Sequence, residues 1–184
     1  MGSPSKEDKV LELLLENSPL KHWHFEEIVK EAKMTRAAVN KWLKKYIEDG
    51  MIGKTKDKGK FPYFTCGEDN PVFKAKKKMY MLNKIYRSGM IAKIISLEKI
   101  KTAIIFGSAA KGDWYKESDI DLFIYGNPKG LNKHEYELKL RKNIELHVFR
   151  SKEEIKEVKT GLVKNVIGGY VIKGSVQDFA EVRI

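Results

Sequence analysis

Two short apolar runs constrain this chain more than any other feature. Thr102-Ala-Ile-Ile-Phe106 ends at Gly107-Ser108, and after ten intervening residues Asp119-Ile-Asp-Leu-Phe-Ile-Tyr125 opens on a pair of carboxylates. Short runs rich in β-branched and aromatic residues, bounded by glycine and polar clusters, read as strands. On a strand, residues i and i+2 share a face, so Asp119 and Asp121 are expected to converge while Ile120 and Leu122 face the other way. Gly107 lets the backbone approach a ligand closely, and Ser108 adds a hydroxyl and an N–H suited to triphosphate oxygens. Two hard carboxylates on one face suit Mg²⁺, which takes few protein oxygens and fills its shell with water and substrate phosphates. Such ions steady both the incoming oxygen and the leaving pyrophosphate of an in-line displacement. An acidic pair at a strand end is by itself often only solvated. The Gly-Ser spacing and the flanking strands set this pair apart.

Charge locates a second property. The chain has 184 residues, room for one generous domain or two small ones, and a formal net charge of +11. That excess is uneven: residues 1–70 carry +1, residues 71–101 carry +8 and residues 102–184 carry +2. A polyanionic partner near the junction is one reading, and a solvated lysine face is the other. No apolar run approaches the roughly 20 residues a membrane span needs. The first residues, Met1-Gly-Ser-Pro-Ser-Lys6, lack an apolar leader, which reads as a cytoplasmic protein. The single cysteine, Cys66, excludes an intramolecular disulfide and a multi-cysteine zinc site.

The first module reads as three helices and a hairpin. Val10, Leu13 and Leu14 mark one helix from Lys6 to Glu16, stopped by Asn17-Ser18-Pro19. A second runs from Phe25 to Ala32. Lys33-Met34 forms a tight turn, and Thr35 is a suitable N-cap for a third helix. That helix is expected to bury Val39, Trp42, Leu43, Tyr46 and Ile47 and to end at Gly50, leaving Arg36, Asn40, Lys41, Lys44 and Lys45 outward. Met51–Lys56 and Phe61–Thr65, joined by the turn at Asp57-Lys58-Gly59-Lys60, have the pattern of a two-stranded hairpin. His22 and His24 flank Trp23 without metal partners nearby and read as structural, and His134 suggests nothing catalytic.

The pattern over residues 6–66 resembles the winged helix-turn-helix fold of small prokaryotic and archaeal regulators. The resemblance implies a nucleic-acid face, DNA rather than RNA, made by Thr35, Arg36, Asn40, Lys41, Lys44 and Lys45 with Lys58 and Lys60 on the wing. A winged helix used for protein contacts or dimerisation is the alternative. At the junction, Asn70-Pro71 is a helix start. Val72, Ala75, Met79, Leu82 and Tyr86 then recur at helical spacing, and Tyr80 and Tyr86 read as core or interface residues. Met90 to Lys99 is expected to form a further helix. Such helices can pack two modules together or pair with a twin in a homodimer.

Phe106-Gly-Ser-Ala-Ala-Lys-Gly112 and Ser118-Asp-Ile-Asp-Leu122 resemble the DNA polymerase beta nucleotidyltransferase superfamily, in particular its minimal nucleotidyltransferase branch, over about Thr102 to Gly174. The resemblance implies a third acidic residue on a later apolar strand, and Glu145 in Ile144-Glu-Leu-His-Val-Phe149 fits. It implies transfer of a nucleoside monophosphate, AMP from ATP foremost, to a protein or nucleic-acid hydroxyl. Asp119, Asp121 and Glu145 would hold two Mg²⁺ ions, while Gly107, Ser108, Lys111, Gly112 and Ser118 would hold the nucleotide. Gly161–Gly174 resembles the family's closing helix and strand. Relatives in this branch often act as antitoxins that modify a separate HEPN-type protein, which is one acceptor class the resemblance implies. The chain departs from the pattern at Ala109, where many relatives are basic, and at Glu145, where Asp is commoner. The rival reading is a DNA-binding transcriptional regulator whose second domain only senses nucleotide. His147 shares the face of Glu145 and reads as a partly buried structural histidine.

The expected architecture is therefore α+β in two domains. A winged helix-turn-helix domain (residues 1–68) and a basic helical connector (69–101) precede a small mixed-sheet nucleotidyltransferase domain (102–184).

Overall fold

A computed structural model describes residues 6–180 apart from 19, 68, 69 and 159. The expected helix stop at Pro19 and the domain limits at residues 1, 68, 69 and 184 lie outside the described residues. The chain divides into two compact units, Met1–Lys77 and Lys78–Ile184. Among the described residues, no helix is long and apolar enough to cross a membrane.

In the first unit, α1 (Lys6–Glu16) buries Val10, Leu11, Leu14 and Leu15. A two-residue strand, β1 (Trp23–His24), then leads directly into α2 (Phe25–Ala32), which ends at Lys33 in the left-handed conformation. The Thr35 hydroxyl caps α3 (Arg36–Glu48) by accepting the Ala38 N–H at 3.3 Å. Beyond α3, β2 (Ile52–Thr55) and β3 (Tyr63–Cys66) form the expected hairpin, and β1 joins it to give an antiparallel sheet of order β1-β3-β2. Trp23, opposite Phe64 in this sheet, is fully buried. The third strand was not expected, because two residues carry no detectable alternation. Within α3, Val39, Leu43 and Tyr46 are buried as expected, but Trp42 is half-buried and Ile47 is exposed.

The division between units falls within α4 (Pro71–Arg87). Its first turn is capped by Asn70, whose Oδ1 accepts the Val72 and Phe73 N–H groups at 2.8 and 3.3 Å. The buried face is not the expected one but lies on nearly the opposite side of the helix. Phe73, Lys77, Met81 and Ile85 are buried, whereas Val72, Ala75, Met79 and Tyr86 are exposed and Leu82 is half-buried. Two apolar stripes run along this helix, and the one with the larger residues at spacing of four is the one that packs. Tyr80 stacks on Trp114 with ring centroids 6.0 Å apart, while Tyr86 faces outward.

The second unit continues through α5 (Met90–Ser96) into a mixed four-stranded sheet of order β6-β5-β4-β7. Its strands are β4 (Ile100–Phe106), β5 (Ile120–Gly126), β6 (Ile144–Phe149) and β7 (Tyr170–Lys173). A short helix, α6 (Gly107–Lys111), links the antiparallel pair β4 and β5. Between β5 and β6, which are parallel, the crossover is α7 (Lys133–Leu140), as parallel neighbours require. α8 (Lys152–Lys156) and α9 (Thr160–Ile167) precede β7, which closes the sheet antiparallel to β4. β5 is central, and its run from Leu122 to Tyr125 is buried throughout, which explains why it reads as continuous apolar sequence. Ile104, Phe106, Phe123, Tyr125, Ile155, Val166 and Phe179 form the core on one face of the sheet.

Candidate active site

The site begins where β4 ends. Phe106 is extended, and Gly107 turns the chain with φ +67° into α6. A side chain at 107 meets a second obstacle besides this left-handed backbone: an added Cβ would run into Oδ2 of Asp121. Sequence reasoning assigned Gly107 to close approach by a ligand. The structure shows that the group closest to it is the Asp121 carboxylate.

Strand register then brings the acidic groups together. Asp121 on β5 is the direct neighbour of Phe106 on β4 and of Glu145 on β6. Neighbouring strands lie about 4.8 Å apart, so aligned residues project on the same side. Glu145 is mostly exposed, and Asp121 and His147 have side chains 24% and 22% exposed. His147 Nε2 lies 3.5 Å from Glu145 Oε1 and 3.8 Å from Asp121 Oδ1. One potential ligand atom from each of Asp121, Glu145 and His147 falls within 4.8 Å of the others. Burial holds the Asp121 carboxyl above its usual range, and the charges of Glu145 and Asp119 push the same way while His147 opposes them. A cation at this point would relieve both the desolvation and the like-charge repulsion, so the donor set fits a divalent metal.

Asp119 precedes β5, is exposed, and stands outside that close group, although its charge acts on Asp121. Ser108 is half-buried at the start of α6. Lys111 is exposed and donates to Asn165 Oδ1 at 3.1 Å, which ties α6 to α9. Gly112 caps α6 in the left-handed conformation. The Ser118 hydroxyl accepts the Tyr115 N–H at 3.0 Å and so braces the loop before Asp119. Ala109 and Ala110 both pack into the core, so the non-basic residue at 109 is here a packing residue.

Sequence reasoning missed Lys142. It is buried, and its Nζ donates to the carbonyls of Tyr115, Lys116 and Ser118 at 2.7, 2.9 and 3.3 Å while lying 5.2 Å from the centre of the Trp114 ring. An ammonium held by three carbonyls fixes the loop that delivers Asp119. Nothing in Arg141-Lys142-Asn143 distinguishes this lysine from its many surface counterparts. His147 was read as structural, and its edge contact with Phe106, at 5.1 Å between centroids, agrees with that. Its Nε2, however, is turned toward the carboxylates.

The expected nucleic-acid residues lie in the first unit. Thr35 spends its hydroxyl on the α3 cap, Arg36 pairs with Glu26 at 2.6 Å, and Lys45 pairs with Glu7 at 3.3 Å. Asn40, Lys41, Lys44 and Lys58 are exposed, and Lys60 lies 3.8 Å from Asp57.

Residues 90–175 match the family model described as Polymerase beta, Nucleotidyltransferase. The second unit therefore carries a nucleotidyltransferase domain, beginning before the resemblance seen from Thr102 onward. No curated protein matches the chain. A solved structure described as a crystal structure of a toxin-antitoxin with AMP-PNP is 21% identical over 52% of this chain and 75% of that chain, with a TM-score of 0.35.

Proposed function

We propose that this protein transfers a nucleoside monophosphate, AMP from ATP, to an acceptor hydroxyl in a Mg²⁺-type metal-dependent reaction, and that its first unit is a winged helix that binds DNA. The observation that carries the first part is the alignment of Asp121 with Glu145 on adjacent strands, beside a glycine that only a bare backbone can occupy. In this reading Asp121 and Glu145 hold the metal, and Asp119 joins them as a further carboxylate. The metal supplies charge neutralisation at the triphosphate and at the leaving pyrophosphate. Ser108 and Lys111 contact phosphate oxygens, and Glu145, the most exposed of the cluster, orients the acceptor. The acceptor hydroxyl belongs to a separate protein, of the HEPN type among others, or to a nucleic acid.

For the first unit, support comes from the order helix, strand, helix, helix, hairpin and from the exposed Asn40, Lys41 and Lys44 on α3. A helix presenting such a face suits a major groove, with the hairpin lysines on flanking phosphates.

ATP labelled at the α-phosphate tests the reaction, incubated with divalent metal and with protein or RNA acceptors in separate arms. Label transfer that falls by roughly 100-fold or more in Asp121→Asn and in Glu145→Gln supports the proposal, since metal stabilisation of a transition state is worth several kcal/mol. Nucleotide binding without transfer in any arm would support a nucleotide-sensing DNA regulator instead.

A further inference from the structure

We propose that His147 is itself a metal ligand, so that with Asp121 and Glu145 it forms a mixed nitrogen and carboxylate site selecting a first-row transition ion such as Mn²⁺ over Mg²⁺. The inference rests on the reading above in taking Asp121 and Glu145 as metal-holding carboxylates, and it adds which class of ion they hold.

Three observations converge on His147. It follows Glu145 by two residues on β6, so both side chains leave the strand on one side. Its ring is braced by the edge contact with Phe106, which limits its rotation. Its Nε2 is buried without a well-formed hydrogen bond and faces the two carboxylates at ion-pair distance, 3.5 Å from Glu145 and 3.8 Å from Asp121. A histidine kept only for packing would not need to aim that nitrogen at two acids.

The spacing suits a shared ion. With metal–donor bonds of roughly 2.1 Å, two donors on one ion stand about 3.0 Å apart at right angles and about 4.2 Å apart when opposite. Both distances from His147 fall inside that interval. The donor chemistry decides the ion. Mg²⁺ prefers oxygen and parts reluctantly with water, whereas affinity for a site containing a nitrogen donor rises along the first-row ions, least at Mn²⁺ and greater at Co²⁺ and Zn²⁺. One nitrogen among the carboxylates therefore raises affinity for the second group and does little for Mg²⁺.

Mn²⁺ binding to the full-length chain tests this without any turnover. Electron paramagnetic resonance follows free Mn²⁺, pulsed spectra of the bound ion report nitrogen coupling, and Mg²⁺ affinity comes from competition. The wild type should show nitrogen coupling. His147→Ala should lose it, weaken Mn²⁺ by about tenfold or more and change Mg²⁺ by less than about threefold. His147→Gln, which keeps a polar group of similar reach, should lose the nitrogen coupling of the ring as well. Bound Mn²⁺ without nitrogen coupling in the wild type, no Mn²⁺ binding at all, or equal weakening of both ions would overturn the inference. The wild-type spectrum decides even if the variants fail to fold. Nitrogen-coupled Mn²⁺ in a protein that transfers no label would leave this inference standing and remove the proposed reaction; transfer with Mg²⁺ and no nitrogen coupling would do the reverse.

Discussion

Single residues decide whether the carboxylate cluster exists. Gly107→Ala places a methyl group against Asp121 Oδ2 on a backbone with φ +67°, and the left-handed conformation alone costs an alanine roughly 1–2 kcal/mol. The expected outcome is a clear fall in melting temperature together with weakened divalent-metal binding, followed by calorimetry with and without metal. A variant that melts and binds metal like the wild type would show that the turn relaxes freely. Glu137 makes a different local contribution. Its Oε1 accepts the Ile144 N–H at the start of β6 at 3.0 Å, and that backbone bond, ahead of Lys133 and His134, holds its carboxyl below the usual range. A carboxyl depressed in the folded state stabilises above its unfolded value, and that stability is lost as pH falls through the lower folded value. Acid titration of stability should therefore show a smaller loss below about pH 4.3 in Glu137→Gln than in the wild type. An identical acid limb in the two proteins would remove Glu137 from this role.

Elements position what residues supply. The segment between α6 and β5 has no regular structure over residues 113–119 except a turn, yet it must deliver Asp119 reproducibly. Lys142 does this from the far end of α7 by satisfying three carbonyls of that segment. Lys142→Met should destabilise the second unit by roughly 2–3 kcal/mol, since charge-assisted bonds and stranded carbonyls are each worth about that much. Its metal affinity should fall too, and Lys142→Arg should restore neither fully, because a planar fork cannot point three donors at one carbonyl cluster. Urea melts and metal titration of both variants check this, and an unaltered melt for Lys142→Met would contradict the clamp. For α3, the proposed DNA face makes a separate prediction. Lys41→Ala and Lys44→Ala should each lower the slope of log affinity against log salt by about 0.9 and weaken binding evenly across DNA sequences. Binding that ignores both substitutions would assign the α3 face to something other than phosphate. Much at this scale was readable in advance. The apolar periodicity of α2, the Val39, Leu43 and Tyr46 face of α3, the Thr35 cap and the two main strands flanking Gly107, apart from Asp119, which lies before β5, are local signals and fall where expected. The buried stripe of α4 fell on the other side of the helix from the expected one, because Val72, Met79 and Tyr86 form one apolar face and Phe73, Met81 and Ile85 another, and only packing chooses between them.

At the scale of the whole molecule, the fold legible from sequence was the part written locally, and the missing part was written across the chain. The mixed sheet follows from alternating strands and helices after Ile100, but the pairing Asp121 with Glu145 depends on how β5 and β6 align through α7. β1 escaped notice because its two residues acquire strand character only against β3. Lys142 and the aim of His147 are likewise long-range facts, invisible to spacing. In the sequence Asp119 and Asp121 stand as an equal pair, whereas the structure joins Asp121 to Glu145 and His147 and leaves Asp119 outside that close group. The role proposed for this cluster is metal-dependent nucleotidyl transfer. Pyrophosphate release from ATP, measured in the presence of divalent metal and an acceptor-containing extract, tests it most directly. The wild type should release pyrophosphate in step with label incorporation. Asp121→Asn should do so about 100-fold more slowly or not at all, and a chelator should abolish release in both. Release that persists undiminished in Asp121→Asn, or that is indifferent to the chelator, would contradict the account.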